Sequence, residues 1–466
     1  MFKGENPSSP ADSRSTIAEP QGPAAKMDQD KTDYSSDGPS TIQQLDPEKG
    51  VGAPPPTDGT KPPYPGSDAP DGGLVAWLVV LGAWCTSFCS FGWVNSVGAF
   101  QEYYQNDLLP NYSPGTISWI PSLQIFFMMA LGPVIGQLYD NYGPRWLVFG
   151  GTILHVFGLM MTSLSTQYWQ ILLSQGICSA IGVAAVISPG LNVIHGWFNV
   201  NRGAAFGVLS TGSSIGGIVF PIMVTRLIKS VGFPWAMRTC AFMILGLLII
   251  ANLTIKSFHP PRPQKLNRDQ LLRPLKEVEF VCLLIGFFFF TYGIFVPINY
   301  IQVQALEAGM DPNVAQYIVA MLNAGSLFGR IASGILGDRV GKYNIFVVVG
   351  YLTSIWMLAL WIPARTSGAI IAFAVLFGFC SGAYVSLVAP LVAQISPMQE
   401  IGFRTGITFF ANSIAGLTTN PISGAIMSKS GVVGSQVFSG VFCLAGTTFI
   451  LAARVHRTGW NLKAAF

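Results

Sequence analysis

Apolar stretches about 20 residues long recur along this chain, most of them separated by only short polar breaks. A run of that length crosses a hydrocarbon core of about 30 Å. No water is available there to satisfy peptide groups, so each run has to close its own hydrogen bonds as a helix. Only 10% of the 466 residues are charged and half are hydrophobic, against about 25% charged in an ordinary soluble domain. The composition excludes a soluble fold and predicts an all-α membrane protein.

Twelve spans are expected. The first six lie near residues 74–101, 115–139, 146–166, 168–195, 202–227 and 235–256, and the second six near 278–304, 313–337, 343–362, 367–395, 402–428 and 433–454. Gly and Pro inside several of them are compatible with membrane helices, where neighbouring helices re-satisfy the backbone. The segments divide into a tail (1–73), a six-helix bundle (74–256), a connecting loop (257–277), a second six-helix bundle (278–456) and a short C-terminal tail (457–466). Residues 1–73 carry 12 acids and 6 bases, and the rest of the chain 10 acids and 20 bases, so an acidic tail precedes a basic membrane body. That tail is rich in Pro, Ser, Gly and Asp and is expected to be disordered, for want of apolar surface to offset the entropy of ordering. No signal sequence precedes the first span, which places the tail in the cytosol. With both termini there, the cytosolic loops and the short C-terminal tail hold 14 Lys and Arg and the outer segments five: Arg226, Lys229, Arg238, Arg365 and Lys429. The bias supports this orientation. All seven cysteines fall within spans and are expected to be buried thiols.

One turn is written twice. The stretch Gly136 to Arg145 (GQLYDNYGPR) returns 198 positions later as Gly334 to Tyr343 (GILGDRVGKY), each copy closing a long apolar helix. Both copies place an acid four residues after the first Gly (Asp140, Asp338), a second Gly at seven (Gly143, Gly341) and a base at nine or eight (Arg145, Lys342). The glycines permit a tight reversal, and the carboxylates can accept hydrogen bonds from a neighbouring helix N-terminus or pair with a base. This spacing resembles the loop between helices 2 and 3 of major facilitator transporters, and its return after the eighth span resembles their second half. The resemblance implies two bundles rocking about a central site, with these eight residues as gating contacts that stabilise the outward-open state.

A narrower resemblance rests on two further stretches. Asp71-Gly72-Gly73-Leu74-Val75-Ala76-Trp77 looks like the acidic-Gly-Gly-aromatic approach to helix 1 in the monocarboxylate porter family, fungal branch. Trp197-Phe198, Arg202, Ala205, Gly207 and Gly212 match part of a second signature leading into helix 5. Together the likeness spans residues 71–456. Without the family, Asp71 and its glycines read as a polar cap, Trp77 as a headgroup-boundary residue, and Gly203, Gly207, Gly212, Gly216 and Gly217 as a surface for close helix approach. The fifth span also resembles in part the glycine pattern of facilitator antiporters, with Gly216-Gly217 in place of Gly-Pro, a hint of export.

Charge inside a membrane costs about 3 kcal/mol on insertion scales, which singles out Arg330 in the eighth span. In the resembled family an Arg here, four residues before the Gly of the second motif, contributes to binding a carboxylate substrate. An interfacial or gate-pairing role is the competing reading. The family's coupling Lys falls at Asn95 and its acid at Ser326, so both ionisable partners are replaced. No Asp or Glu falls in the deep part of any span; Glu102, Asp107, Glu307 and Asp311 lie at outer ends, and Glu102, Glu307 or a proton carried by the substrate are alternative coupling routes. His155 is the remaining titratable candidate for proton coupling, with packing within its bundle as the alternative. Neutral and aromatic residues are left to line a cavity: Asn95, Asn323, Ser326, Gln124, Tyr300, Tyr384 and Asn412 as substrate contacts, with Gln175, Asn192 and Asn299 beside them. Amides in membranes also join helices to one another.

The expected function is secondary active transport of a small organic, acidic or amphipathic metabolite by alternating access, as an efflux carrier for a fungal secondary metabolite. Proton-linked uptake of a monocarboxylate or vitamin-like solute is the alternative, and a non-transporting nutrient sensor a third. An enzyme is excluded by the lack of any nucleotide loop, metal-ligand spacing or catalytic triad in a cytosolic segment. No cofactor, metal or nucleic acid is expected. The partners are the substrate, the bilayer and, in the coupled readings, a proton. The membrane is the plasma membrane, with the vacuolar membrane as alternative.

Overall fold

A computed structural model of the chain describes residues 69–96, 100, 103–260, 272–461 and 464–466. The acidic tail up to residue 68, the middle of the loop at 257–277 and Glu102 lie outside the described residues.

Among the described residues all regular structure is helical. The spanning helices are α1 Leu74–Gly92, α2 Gly115–Tyr142, α3 Arg145–Thr162, α4 Tyr168–Trp197, α5 Arg202–Val231, α6 Phe233–Thr254, α7 Val278–Glu307, α8 Pro312–Val340, α9 Lys342–Trp361 and α10 Ser367–Gln394. The last helical run, Ile401–Thr458, is too long for one crossing and breaks at Gly431, whose φ of 71° no helix accommodates. It supplies α11 (residues 401–430) and α12 (residues 432–458), which completes twelve. Beyond α1 the chain passes through turns at Asn95 and Ser96, whose N–H groups bond Gly92 and Trp93 carbonyls, and is helical again at Phe100 and from Tyr103 to Leu108. Pro189, Pro221, Pro297, Pro390 and Pro421 sit inside α4, α5, α7, α10 and α11, where packing against neighbours offsets the missing donor.

Two apolar cores organise the helices. One gathers Val79, Phe88 and Trp93 with Phe220, Ile244 and Leu248. The other gathers Phe287, Phe290, Trp361, Phe373 and Leu387. All cysteines are free thiols; Cys178 and Cys282 are half-buried and the other five buried.

Between the halves, small residues set the contact. A Cβ added at Gly132 would meet the Gly406 carbonyl oxygen at 2.6 Å, and one at Gly136 the Gly402 carbonyl carbon at 2.6 Å, so α2 and α11 touch backbone to backbone. α5 and α8 do the same: a Cβ at Gly203 would lie 2.7 Å from an Asp338 carboxylate oxygen and one at Gly207 2.8 Å from the Arg330 carbonyl. Of the other glycines of α5, Gly212 and Gly216 turn to Trp84 and Gly92 of α1, while Gly217 stays with α8 at Asn323. Close approach of this kind is what small residues permit between membrane helices. Both seams lie at the end of the molecule that carries the two repeated turns, called here the motif face. Asp71 and Phe466 reach the same face, bonding the α4–α5 connection and the start of α9.

Candidate functional site

Toward the opposite face the halves part and leave a cavity of about 1160 Å³. Its wall is drawn from both bundles: Phe91, Ile125 and Leu209 on one side, Phe295, Tyr384 and Phe409 on the other. On α5 the lining runs from Leu209 to Lys229, and on α8 from Gln316 to Arg330, without reaching Asp338. The cavity is therefore closed over the motif face and open at the other, where Thr116, Trp119, Arg226, Asn299 and Tyr317 form its mouth.

Arg330 forms part of the closed end and is only 6% exposed. Its Nε donates to Ser326 Oγ at 3.0 Å, one turn back on α8, and Nη1 donates to the Ser210 carbonyl and Ser213 Oγ of α5. No carboxylate pairs with it among the described residues. The lining contains Arg226, Lys229 and Arg330 and no Asp or Glu. A buried cation with hydroxyl and carbonyl neighbours but no counter-charge carries an unrepaid desolvation cost of several kcal/mol, and a planar guanidinium is suited to a carboxylate. The arrangement can hold an anion.

Of the other sequence candidates, Asn95, Asn323, Ser326, Tyr300 and Tyr384 also line the cavity. Asn95 and Asn323 donate to backbone carbonyls four residues back (2.7 and 3.0 Å), which leaves their side-chain oxygens available. Tyr300 hydroxyl donates to the Asn420 carbonyl at 3.2 Å. Gln124 and Asn412 stand outside the lining. Gln124 accepts from Gln175, itself held by Tyr104, inside the first bundle. Asn412 lies behind Tyr384, donating to its hydroxyl at 3.2 Å while Thr291 bonds the same hydroxyl at 2.8 Å. His155 is also off the cavity: it is buried between α3 and α4, its Nδ1 sharing a 2.8 Å hydrogen bond with Ser179 Oγ.

The repeated turns meet partners in the other half. Asp338 of α8 accepts from Gly203 N and Ala204 N, both at 2.7 Å, at the first turn of α5. Asp140 of α2 accepts from Phe403 N at 2.9 Å and from Gly402 N at the first turn of α11. Each carboxylate caps a helix N-terminus across the bundle seam, where it meets the helix dipole and unpaired N–H groups. Gly136 and Gly334 supply the close approach that brings them there. Gly143 and Gly341 end α2 and α8 with φ of 76° and 106°, a left-handed conformation that favours glycine. The bases differ: Lys342 pairs with Asp338 at 3.1 Å, whereas Arg145 is exposed at the start of α3.

The two narrower signatures touch. Asp71 Oδ1 accepts from Asn199, Val200 and Asn201 N–H at 2.7 to 3.1 Å, and the Trp77 ring meets Phe198 edge-on at 5.3 Å. The first signature is thus a clasp on the α4–α5 connection. Sequence reasoning missed Ser210 and Ser213, because serines in a membrane helix carry no mark of which face they occupy. It also missed Arg404, fully buried and bidentate to Glu277 at 2.5 and 2.9 Å, with Glu400 as second partner. Its signal was present: an Arg four residues after an acid at a helix start.

Twelve helices in two bundles around a cavity open at one face define a multi-pass membrane transporter. The family model of the Major Facilitator Superfamily matches residues 82–307 and 280–464, and the chain belongs to that family; it is not an enzyme. It is 58% identical over 401 residues to the MFS transporter asaE of Aspergillus flavus, covering 85% of this chain and 90% of that one. It is 53% identical to the Fujikurins efflux protein of Gibberella fujikuroi over 400 residues, 85% of this chain and 86% of the relative. Among solved structures, FucP in the outward conformation matches with a TM-score of 0.64 at 14% identity, over 81% of this chain and 99% of that one.

Proposed function

We propose that this chain exports an acidic, amphipathic secondary metabolite by alternating access, with Arg330 as the group that binds its acid function. The observation that carries this reading is the buried, unpaired guanidinium at the closed end of a mostly apolar cavity without a lining acid. A cavity of about 1160 Å³ exceeds the usual range of small-ligand pockets, roughly 300–1,000 Å³, and is far larger than lactate needs. The efflux protein among the relatives supports the direction. With both termini in the cytosol, the motif face is cytosolic, the cavity faces outward, and Asp140 and Asp338 are gating contacts of this state. The plasma membrane follows from export. A monocarboxylate-porter ancestry fits the contact between the Asp71 and Trp197-Phe198 signatures, but Asn95 and Ser326 stand where that family keeps its ionisable pair. A proton that moves with the substrate then travels on the acid itself.

The test compares intact cells with and without the chain, and with Arg330→Gln, for intracellular and secreted metabolites at two external pH values. Loss of the chain should raise an acidic product inside the cells, and Arg330→Gln should reproduce that loss while the protein still reaches the membrane. Unchanged pools in both strains would sink the proposal.

A further inference from the structure

We infer that Arg226 and Lys229 form a second anion-binding subsite at the mouth of the cavity, which takes up the acid group of an amphipathic carboxylate after it leaves Arg330. This rests on the reading of Arg330 as the substrate's anion contact. Both residues line the cavity, and their register on α5 shows that they belong to its wall. The α5 residues that line it are 209, 210, 213, 217, 218, 221, 222, 225, 226 and 229, neighbouring pairs that recur every three or four residues as a broad helix face does. A cation that merely reaches for lipid headgroups belongs on the opposite stripe.

The local charge is unbalanced. Both side chains are exposed, and no acid lines the cavity among the described residues. The acids toward this face, Asp107, Glu307 and Asp311, stand outside the lining, and Asp311 is occupied in capping Asn313 N at 2.9 Å. Around the pair the wall offers neutral hydrogen-bonding groups, among them Thr116, Asn299, Gln302 and Gln316. These two bases are also among the few that oppose the positive-inside bias of the chain. Such a placement is disfavoured at insertion and is explained by a use at the mouth.

The distance between the two subsites gives them separate tasks. Ser213, which holds Arg330, and Arg226 are thirteen positions apart on α5, so at 1.5 Å per residue the two subsites are about 20 Å apart along that helix axis. That exceeds the Debye length of about 8 Å at physiological ionic strength, so the mouth pair neither competes with Arg330 nor reinforces it through solvent. A ligand released from Arg330 meets a second positive site before bulk water.

The experiment uses the full chain purified in an uncharged detergent, with 11-(dansylamino)undecanoate as the fluorescent carboxylate probe and its methyl ester as the neutral counterpart. In an Arg330→Gln background, Arg226→Gln with Lys229→Gln should weaken the residual carboxylate binding about fivefold, flatten its salt dependence and leave the ester unchanged. Arg226→Lys should largely preserve binding. Residual carboxylate affinity and salt dependence unaltered by the two substitutions, with Arg330→Gln alone weakening the probe, would overturn the mouth subsite and leave the proposed function standing. An Arg330→Gln protein that binds the carboxylate as tightly as wild type would instead overturn the proposed function. An effect of the double variant that appears only after anionic phospholipid is added would make the pair a headgroup anchor and overturn the subsite.

Discussion

Arg330 owes its position to three oxygens, Ser326 Oγ on its own helix and the Ser210 carbonyl and Ser213 Oγ across the seam. They use its donors without neutralising its charge, so the ligand has to bring the negative charge. Arg330→Lys tests whether geometry or charge matters. An ammonium keeps the charge but cannot span both helices with a planar fork. We expect at least a tenfold loss of acid-substrate transport in membrane vesicles with expression unchanged; a Lys variant that transports as wild type would reduce the site to a point charge. At this scale the sequence was readable where a charge sat in hydrocarbon, because such charges are rare and costly. It was not readable for Gln124, Asn412 and His155, since amides and imidazoles satisfy themselves inside a bundle as readily as they face a cavity. Tyr384 shows the difference. It lines the cavity, and Asn412 and Thr291 fix its hydroxyl from behind. Tyr384→Phe leaves Asn412 Nδ2 without that acceptor and should cost about 1 kcal/mol of stability, seen as a lowered unfolding temperature in detergent.

Helices α2, α5, α8 and α11 make the contact between the halves, and their glycines set how near they come. A side chain at Gly136 would run into the Gly402 backbone, and one at Gly334 into that of Gly203. Gly136→Val or Gly334→Val should therefore keep the motif face from closing, with α2 and α8 still folded as membrane helices. The variants are expected to insert normally but lose transport, and a cysteine placed at Ala204 on the seam should become reactive to maleimide. Wild-type transport in Gly136→Val would show that the seam has slack. The spans themselves were legible, because length and hydropathy determine a membrane helix almost alone. Their pairing was only half legible. The glycines of α5 announced close packing, but not that Gly203 and Gly207 serve α8 while Gly212 and Gly216 serve α1. The break near the end of the first span was not legible, because turns at Asn95 and Ser96 look, in composition, like more helix.

Across the whole molecule the two repeated turns act as an exchange. The first bundle gives Asp140 to the start of α11, and the second gives Asp338 to the start of α5. The sequence revealed the repeat but not the crossing, because a motif does not say which helix N-terminus its acid will meet. Each half thus depends on the other to satisfy the N–H groups of one of its own helices, and in the proposed alternating-access cycle both caps would be lost together when the motif face opens. A carboxylate at a helix N-terminus contributes about 1 kcal/mol. Replacing it with an amide also turns one acceptor into a donor facing N–H groups. Asp140→Asn and Asp338→Asn should then each shift the equilibrium severalfold toward the state open at the motif face, and the double variant about thirtyfold, if the two contributions add. Asp338→Asn carries one further loss, its 3.1 Å pair with Lys342, whereas Arg145 offers Asp140 no counterpart. The measurement is maleimide labelling of cysteines at Ala204, on the seam, and at Ser118, at the mouth. Labelling should rise at the first and fall at the second as caps are removed, with transport slowed in each single variant and the fold retained. If labelling at both positions stays at the wild-type level in the double variant, the caps do not set the conformational balance, and closure rests on the glycine seam alone.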